Sequence, residues 1–415
     1  MTSLGLFALV LALATLTGLF NARILRLPLT IGVLLLSLVV SVGLSVADWV
    51  LPLHTVHALQ TLLTQIDLPT TLMEGALAFL LFAGAQGVDL GALFARKFSV
   101  LALALLGTLL AVVVFAAGAW GIFTLVGLNV PLAWCVVLGA ILAPTDPVSV
   151  VGMLRRLGLP AQVQALFAGE SLFNDGVGVV IFTVALEVAH HAHHAHPVSA
   201  LRLAEAFTTE VGGGLLVGLV GGWLARKAFA LSQDPQLDLL ISLTLCTGTY
   251  SLCTAWGLSG PIATVTAGLC MAAPATQRRI TEQGRKNLHV FWELVDEVLN
   301  AMLFALIGFQ VLALSFSRAL VVAAALAIPL AIIARLLSVL LATLPVYLRG
   351  QDRMGVLAVL TWGGLRGGIS ISLALGLPES PMRAPLLAVC YCVVVFTILV
   401  QGLTIAPVVR KFHPS

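Results

Sequence analysis

An acidic, hydroxyl-bearing motif, GESLFNDG, lies inside an apolar run that extends from about residue 163 to residue 189. Ser171 and Asp175 are four residues apart, as are Glu170 and Asn174, so a helix would carry them on two adjacent stripes. A carboxylate at the centre of a membrane costs about 2.5–3.5 kcal/mol on insertion scales, and such residues usually serve a function. This motif is therefore the first candidate for the chemistry of the chain.

A second motif, APTDPVSV, holds Asp146 between Pro144 and Pro147. Proline has no N–H, so a helix here leaves the carbonyls of Ala140 and Ala143 without their usual partners. The pattern predicts a broken helix whose free carbonyls lie close to an acidic side chain.

The two motifs together offer only oxygen ligands: Asp175, Ser171, Asp146 and a freed carbonyl near Thr145. Such ligands suit a hard cation such as Na⁺ or Li⁺, and they do not suit zinc. Burial favours the protonated form of a carboxylate and a bound cation favours its ionised form, so one aspartate can hold either. Competition for that carboxylate would couple the movement of a cation to that of a proton.

A third motif, TWGGLRGGIS, places Arg366 among four glycines, at positions 363, 364, 367 and 368. Unwound backbone within a bilayer is tolerated only where it is buried in protein or lines a cavity. Broken helices at corresponding positions of two halves indicate a transporter binding site.

The composition supports a membrane setting for these motifs. Of the 415 residues, 60% are hydrophobic and 9% are charged, whereas soluble domains carry roughly 25% charged residues. A formal net charge of +3, with no basic run interleaved with aromatics, argues against a nucleic-acid partner. The six cysteines have no zinc-type or redox spacing and are expected to be packing residues, so no cofactor is expected.

About thirteen transmembrane helices are predicted from apolar stretches of about 20 residues and the turn signals between them, which gives an all-α membrane protein with one transporter domain, 1–415. The predicted spans are 3–21, 28–46, 68–88, 98–123, 131–153, 161–189, 203–225, 236–256, 260–275, 290–314, 319–347, 354–377 and 384–408.

The layout suggests two inverted repeats of six spans, with approximate halves 1–200 and 230–415 joined by span seven. The broken spans five and twelve then occupy the fifth position of their halves. Most of the 21 basic residues follow odd-numbered spans. The excess of positive charge on cytoplasmic loops therefore predicts an outer N-terminus and a cytoplasmic C-terminus in the inner or plasma membrane of a cell.

The motifs APTDPVSV, GESLFNDG, ARLLSVL and GGLRGG occur in this order on spans five, six, eleven and twelve. In this combination the chain resembles the NhaP-type sodium/proton antiporters, which are related to the eukaryotic sodium/proton exchangers. The resemblance implies a secondary active antiporter that exchanges Na⁺ or Li⁺ for H⁺ by alternating access and serves pH homeostasis. A K⁺/H⁺ antiporter is the alternative, because the residue types do not decide ion size.

The resemblance also implies roles for the site residues. Asp175 would be the shared proton- and cation-binding carboxylate, and Asp146 and Ser171 would help to coordinate the ion. Thr145 would contribute mainly its main-chain carbonyl. Glu74, in the third span, would be a peripheral contributor, although a snorkelling or loop-facing side chain is an equal alternative there.

Supporting roles follow from the same resemblance. Glu170 would form a buried ion pair with Arg335, which agrees with the need of an intramembrane arginine for a counter-charge. Arg366 would lie where the broken helices cross and offset helix-end charge or acidic neighbours. Relatives with Asn-Asp at the positions of Asn174 and Asp175 are electroneutral, so 1:1 exchange is expected.

The resemblance further implies a core bundle of spans 3–6 and 10–13, which moves against a dimerisation bundle of the remaining spans. The expected partners are monovalent cations, protons, membrane lipid and a second copy of the chain in a homodimer.

Several other interpretations compete with this one. An intramembrane aspartyl protease also needs two membrane aspartates, but its GxGD motif is absent, and nothing here resembles the selectivity filter of a passive cation channel. Glu293, Asp296 and Glu297 are expected to be structural, as acidic residues at the start of the tenth span, and contact of Asp296 with the ion is the alternative. The histidine tract 190–196 is expected to be a solvated loop, with metal binding or pH sensing as the alternative.

Overall fold

The computed structural model of the chain describes residues 3–50, 68–146, 158–159, 161–191, 200–314, 317–344 and 353–412. Within these residues every regular element is helical, which confirms the all-α prediction. The principal helices are α1 Ser3–Phe20, α2 Leu29–Val50, α3 Leu68–Gln86, α4 Lys97–Leu125, α5 Leu132–Leu142, α6 Ala161–His191, α7 Ala200–Leu231, α8 Pro235–Ala255, α9 Gly260–Ala272, α10 Glu282–Gln310, α11 Arg318–Thr343, α12a Arg353–Trp362, α12b Gly368–Leu375 and α13 Arg383–Phe412.

Each of the thirteen predicted spans overlaps a helix or a pair of short helices, but the helices differ in length. Among the described residues, eight are long and apolar enough to cross a membrane, namely α1, α2, α4, α6, α7, α8, α11 and α13. Helices α5 and α9 are apolar but have only 11 and 13 residues. Each of these helices ends shortly before a proline, which is Pro144 for α5 and Pro274 for α9.

Both predicted breaks are present. Helix α5 ends at Leu142 and is followed by a non-helical stretch that includes Asp146, while the remainder of the fifth span, from Pro147, lies outside the described residues. Helix α12a ends at Trp362, and the non-helical residues 363–367 separate it from α12b. The two breaks meet, because the main-chain N–H of Asp146 donates to the carbonyl of Leu365 at 2.8 Å.

The start of the tenth span was predicted wrongly. Helix α10 begins at Glu282, where the side chain of Thr281 accepts from a main-chain N–H of the first turn. Glu293, Asp296 and Glu297 therefore lie in the interior of the helix and do not stabilise its N-terminus. The reason is that hydropathy marks where a helix becomes apolar, whereas the cap marks where it begins.

The helix with the functional motif, α6, lies in the middle of the molecule. It packs against α5, α9, α4 and α7, and it also contacts α3 and α12b. Consequently most of its motif is buried, including Glu170, Ser171, Asn174 and Asp175.

Helices α7 and α9 pack closely through a row of glycines at positions 214, 218 and 222 of α7. Small residues let membrane helices approach until their backbones touch, which increases van der Waals contact without a hydrophobic driving force. At Gly218 a Cβ atom would lie 2.5 Å from the carbonyl oxygen of Ala263 and 2.6 Å from Cβ of Thr266. The contact therefore requires glycine at this position.

We expect Gly218→Ala to lower the stability of the protein by about 1–3 kcal/mol, the usual cost of overpacking a filled interface. Gly212→Ala on the same helix is the matched control, because a Cβ there meets nothing within 4 Å. Thermal unfolding in detergent measures both variants. Equal midpoints for the two would contradict the close α7–α9 contact.

Candidate functional site

The unwound stretch after α5 is joined to α6 by hydrogen bonds around one residue, Thr145. Its main-chain N–H donates to Oδ1 of Asn174 at 3.3 Å, and its Oγ1 accepts from Nδ2 of Asn174 at 2.9 Å. Oγ1 of Thr145 also lies 3.1 Å from Oγ of Ser171. The side chains of GESLFNDG thus supply partners for backbone that the broken helix leaves without them.

The guanidinium of Arg366 lies where the two breaks cross. Its Nη1 donates to the carbonyl of Ala143 at 2.6 Å and to that of Pro144 at 3.1 Å, and its main-chain N–H donates to Oγ1 of Thr397 at 3.1 Å. The carbonyl of Ala143 is one of the two that the prolines deprive of a helical partner. A positive charge at this point also offsets the negative end of the α5 dipole.

Two glycines of GGLRGG are explained by close approach. A Cβ on Gly367 would lie 2.7 Å from Oδ2 of Asp146, and a Cβ on Gly364 would lie 2.6 Å from Nε of Arg335. Glycine therefore allows the second broken helix to reach both charged side chains.

A cavity of about 50 Å³ adjoins this crossing. Thr145 and Asp146 line it from the unwound stretch, and Asp175 lines it from α6. The side chain of Asp175 is 5% exposed, and its Oδ1 has no hydrogen-bond partner within the described part of the chain. A buried carboxylate oxygen without a protein partner, facing a cavity beside a second carboxylate, can hold a proton or a small cation.

Glu170 and Arg335 form a buried ion pair on the other stripe of α6. Nη1 and Nη2 of Arg335 donate to Oε1 and Oε2 of Glu170 at 2.5 and 2.8 Å, and Nε donates to the carbonyl of Leu360 at 3.2 Å. In this bidentate geometry each charge has its hydrogen-bond partners. A buried ion pair offsets its cost of desolvation only under that condition. The pair joins α6, α11 and α12a, and neither residue lines the cavity.

The structure brings most of the predicted site residues together. Thr145, Asp146 and Asp175 line the cavity, and the hydroxyl of Ser171 lies directly behind that of Thr145. Glu74 belongs to α3, but its side chain lies outside the described residues, as do positions 192–196 of the histidine tract.

Three polar residues of the cavity wall were not among the predicted site residues. They are Asp296 and Asn300 of α10 and Ser370 of α12b. Asp296 and Asn300 are four residues apart within FWELVDEVLN, a spacing that already suggests a shared helical face. No comparable sequence signal marks Ser370.

The comparisons with known proteins agree with this arrangement. Residues 10–411 match the family described as sodium/hydrogen exchanger, transmembrane. The chain belongs to this family. It is a multi-pass membrane protein of a transporter family and not an enzyme, which removes the protease alternative.

Individual relatives extend over nearly the same length. The chain is 40% identical to the Na⁺/H⁺ antiporter NhaP of Pseudomonas aeruginosa, over 99% of this chain and 97% of that one. It is 32% identical to the Na⁺/H⁺ antiporter NhaH of Halobacillus dabanensis, over 77% of each. Its fold is similar to that of the sodium proton antiporter MjNhaP1 of Methanocaldococcus jannaschii, with a TM-score of 0.76, 18% identity and 99% of both chains covered.

We expect Glu170→Gln and Arg335→Gln each to destabilise the protein by about 3–5 kcal/mol, because each leaves one buried charge without its partner. The double variant should lose less than the sum of the two single variants. Thermal unfolding in detergent measures all three.

Glu379→Gln is the control, because it removes an ion pair of the same type, with Arg383, in which the side chain of Glu379 is 88% exposed. Its effect should stay within about 1 kcal/mol. Similar losses for the exposed and the buried pair, or strict additivity of the two single variants, would contradict the assignment.

Proposed function

We propose that the protein is a secondary active antiporter that exchanges Na⁺ or Li⁺ for H⁺ across the membrane. The observation that carries this proposal is the buried carboxylate of Asp175. One of its oxygens has no hydrogen-bond partner in the described part of the chain, and the residue lines the cavity at the crossing of two broken helices. The relatives NhaP and NhaH, both Na⁺/H⁺ antiporters, support the exchange of the same two ions.

In the proposed site, Asp175 binds either a proton or the cation. Asp146 supplies a second carboxylate, Thr145 supplies its main-chain carbonyl, and Ser171 supplies a hydroxyl. Oxygen ligands of this kind fit a hard monovalent cation. Glu74 would be a peripheral contributor to ion binding.

The proposed cycle follows from the charge on Asp175. Moving an ionised, unpaired carboxylate through an apolar barrier costs much free energy. The cavity can therefore switch from one side of the membrane to the other only after a proton or a cation has neutralised Asp175. A core bundle of spans 3–6 and 10–13 would carry the site past a dimerisation bundle of the remaining spans, in a homodimer. Helices α3 and α10 contact helices of both bundles, as expected for core helices that lie at the boundary between the two.

The proposal includes the wider topology. The chain would cross the membrane about thirteen times, as two inverted repeats of six spans joined by span seven. Its N-terminus would be outside and its C-terminus in the cytoplasm. The crossing of α5 with the break between α12a and α12b supports the repeat, because the two broken helices hold corresponding positions in the two halves.

Exchange should be electroneutral, with one cation for one proton. Asn174, beside Asp175, carries no charge, and its amide is used in hydrogen bonds to Thr145. One titrating carboxylate can then exchange one proton for one monovalent cation.

Exchange can be measured with a pH-sensitive dye in proteoliposomes under an imposed pH gradient, with Na⁺, Li⁺ and K⁺ added in turn. We expect Na⁺ and Li⁺ to dissipate the gradient in the wild type. Asp175→Ala should abolish this response, because the proposed exchange requires the one carboxylate that binds the proton and the cation in turn.

Glu379→Gln is the matched control, because it removes an exposed carboxylate outside the cavity and should transport at the wild-type rate. Transport that persists in Asp175→Ala would exclude the proposed site. A response of the wild type to K⁺ alone would replace sodium exchange with potassium exchange.

Electroneutrality has a separate test. With the ion and proton gradients held constant, the initial rate of exchange should not change when a membrane potential is imposed by an ionophore for an ion that the protein does not transport. A rate that rises or falls with the potential would contradict 1:1 exchange.

A further inference from the structure

Helix α10 brings a third carboxylate to the cavity. Asp296 lines it together with Asp146 and Asp175, and Asn300, one turn further along α10, lines it as well. Glu293 and Glu297, on the same helix, are exposed and do not line the cavity. The helix therefore directs only one of its three neighbouring acidic residues to this space.

Asn300 holds this carboxylate in place. Its Nδ2 donates to Oδ1 of Asp296 at 3.1 Å and to the main-chain carbonyl of Asp296 at 2.9 Å. The two amide hydrogens are thus directed to Asp296, and the amide oxygen is the polar atom of Asn300 that can serve a cation. Asn300 is 5% exposed, so this arrangement lies within the protein.

Among the described residues, Asp296 forms no ion pair with a lysine or an arginine. The acidic residues that do form such pairs include Glu282 with Lys286, Glu170 with Arg335 and Glu379 with Arg383. A carboxylate kept within the membrane without a counter-charge is costly, and such residues mark the pathways of ions.

Ser370 provides an independent indication of a ligand. Its side chain is 1% exposed, it lines the same cavity, and its Oγ has no hydrogen-bond partner among the described residues. A buried hydroxyl without a protein partner costs free energy that an alanine would avoid. A hydroxyl that binds a cation accounts for this cost.

We propose that Asp296, Asn300 and Ser370 form a second binding site for a monovalent hard cation in this cavity, from which the ion passes to Asp175. The inference rests on the proposed antiport. It adds a site that is separate from the one formed by Asp175, Asp146 and their neighbours. The second site holds the cation on entry and sets its apparent affinity, whereas proton exchange stays with Asp175.

The test compares the Na⁺ dependence of exchange in the wild type, Asp296→Asn, Asn300→Ala and Ser370→Ala. We expect Asp296→Asn to raise the KM for Na⁺ about ten-fold, with a maximal rate within about two-fold of the wild type. Asn300→Ala should raise the KM about three-fold, because the carboxylate remains but is no longer held. Asp296→Glu should restore most of the affinity.

Glu293→Gln and Glu297→Gln are the matched controls, since each removes an exposed negative charge from the same helix, and neither should change the KM. Ser370→Ala supplies a readout that a structural role would not give. We expect it to unfold at the wild-type temperature or above, because the unpartnered hydroxyl is gone, and to bind Na⁺ more weakly. Weaker binding appears as a smaller rise in unfolding temperature on addition of Na⁺.

An unchanged KM in Asp296→Asn and Ser370→Ala would overturn the second site, as would a fall in maximal rate with no change in KM. If Asp296→Asn does not fold, Asn300→Ala and Ser370→Ala decide by the same criterion. Asp175→Ala separates this inference from the antiport itself. Transport that persists in Asp175→Ala contradicts the proposed function, whereas an unchanged KM in the α10 variants beside an inactive Asp175→Ala contradicts only the second site.

Discussion

The structure depends on one constraint, which is that polar groups inside a membrane must find partners within the protein. Two helices are broken in this chain, and each break exposes main-chain groups that water would otherwise satisfy. Arg366 donates to the carbonyls of Ala143 and Pro144, and the N–H of Asp146 donates to the carbonyl of Leu365. Each broken helix thus helps to satisfy the backbone of the other, and the crossing holds the acidic residues in place.

The two stripes of α6 differ in how their polar side chains are partnered. On one stripe, Glu170 is neutralised by Arg335, and Asn174 binds the backbone and hydroxyl of Thr145. On the other, Asp175 lines the cavity, and one of its oxygens has no hydrogen-bond partner among the described residues. This contrast supports the proposed role of Asp175, because buried charges that serve only structure are usually paired, and unpaired ones often mark the pathways of ions.

Glycine has two distinct uses in this fold. Along α7 it lets two helices touch, and the cost of a side chain there is a cost in packing. In GGLRGG the lack of a side chain leaves room for Asp146 and Arg335, so a larger residue there would collide with the charged groups themselves. The sequence motif alone does not distinguish these uses, since both appear as glycines within apolar stretches.

The sequence by itself determined the class of protein, the helical content, both helix breaks and the pair of acidic motifs, because these depend on composition and on local chemistry. A proline removes its own N–H wherever it lies, and 60% hydrophobic residues cannot form a soluble domain of this size. The family followed from motifs in a fixed order. Only the tertiary structure decided which polar residues share the cavity, because α10 and α12b are distant from α6 along the chain. Asp296 was therefore misjudged as a residue of a helix N-terminus, and Ser370 was missed, since only the packing of three helices brings them to the side of Asp175.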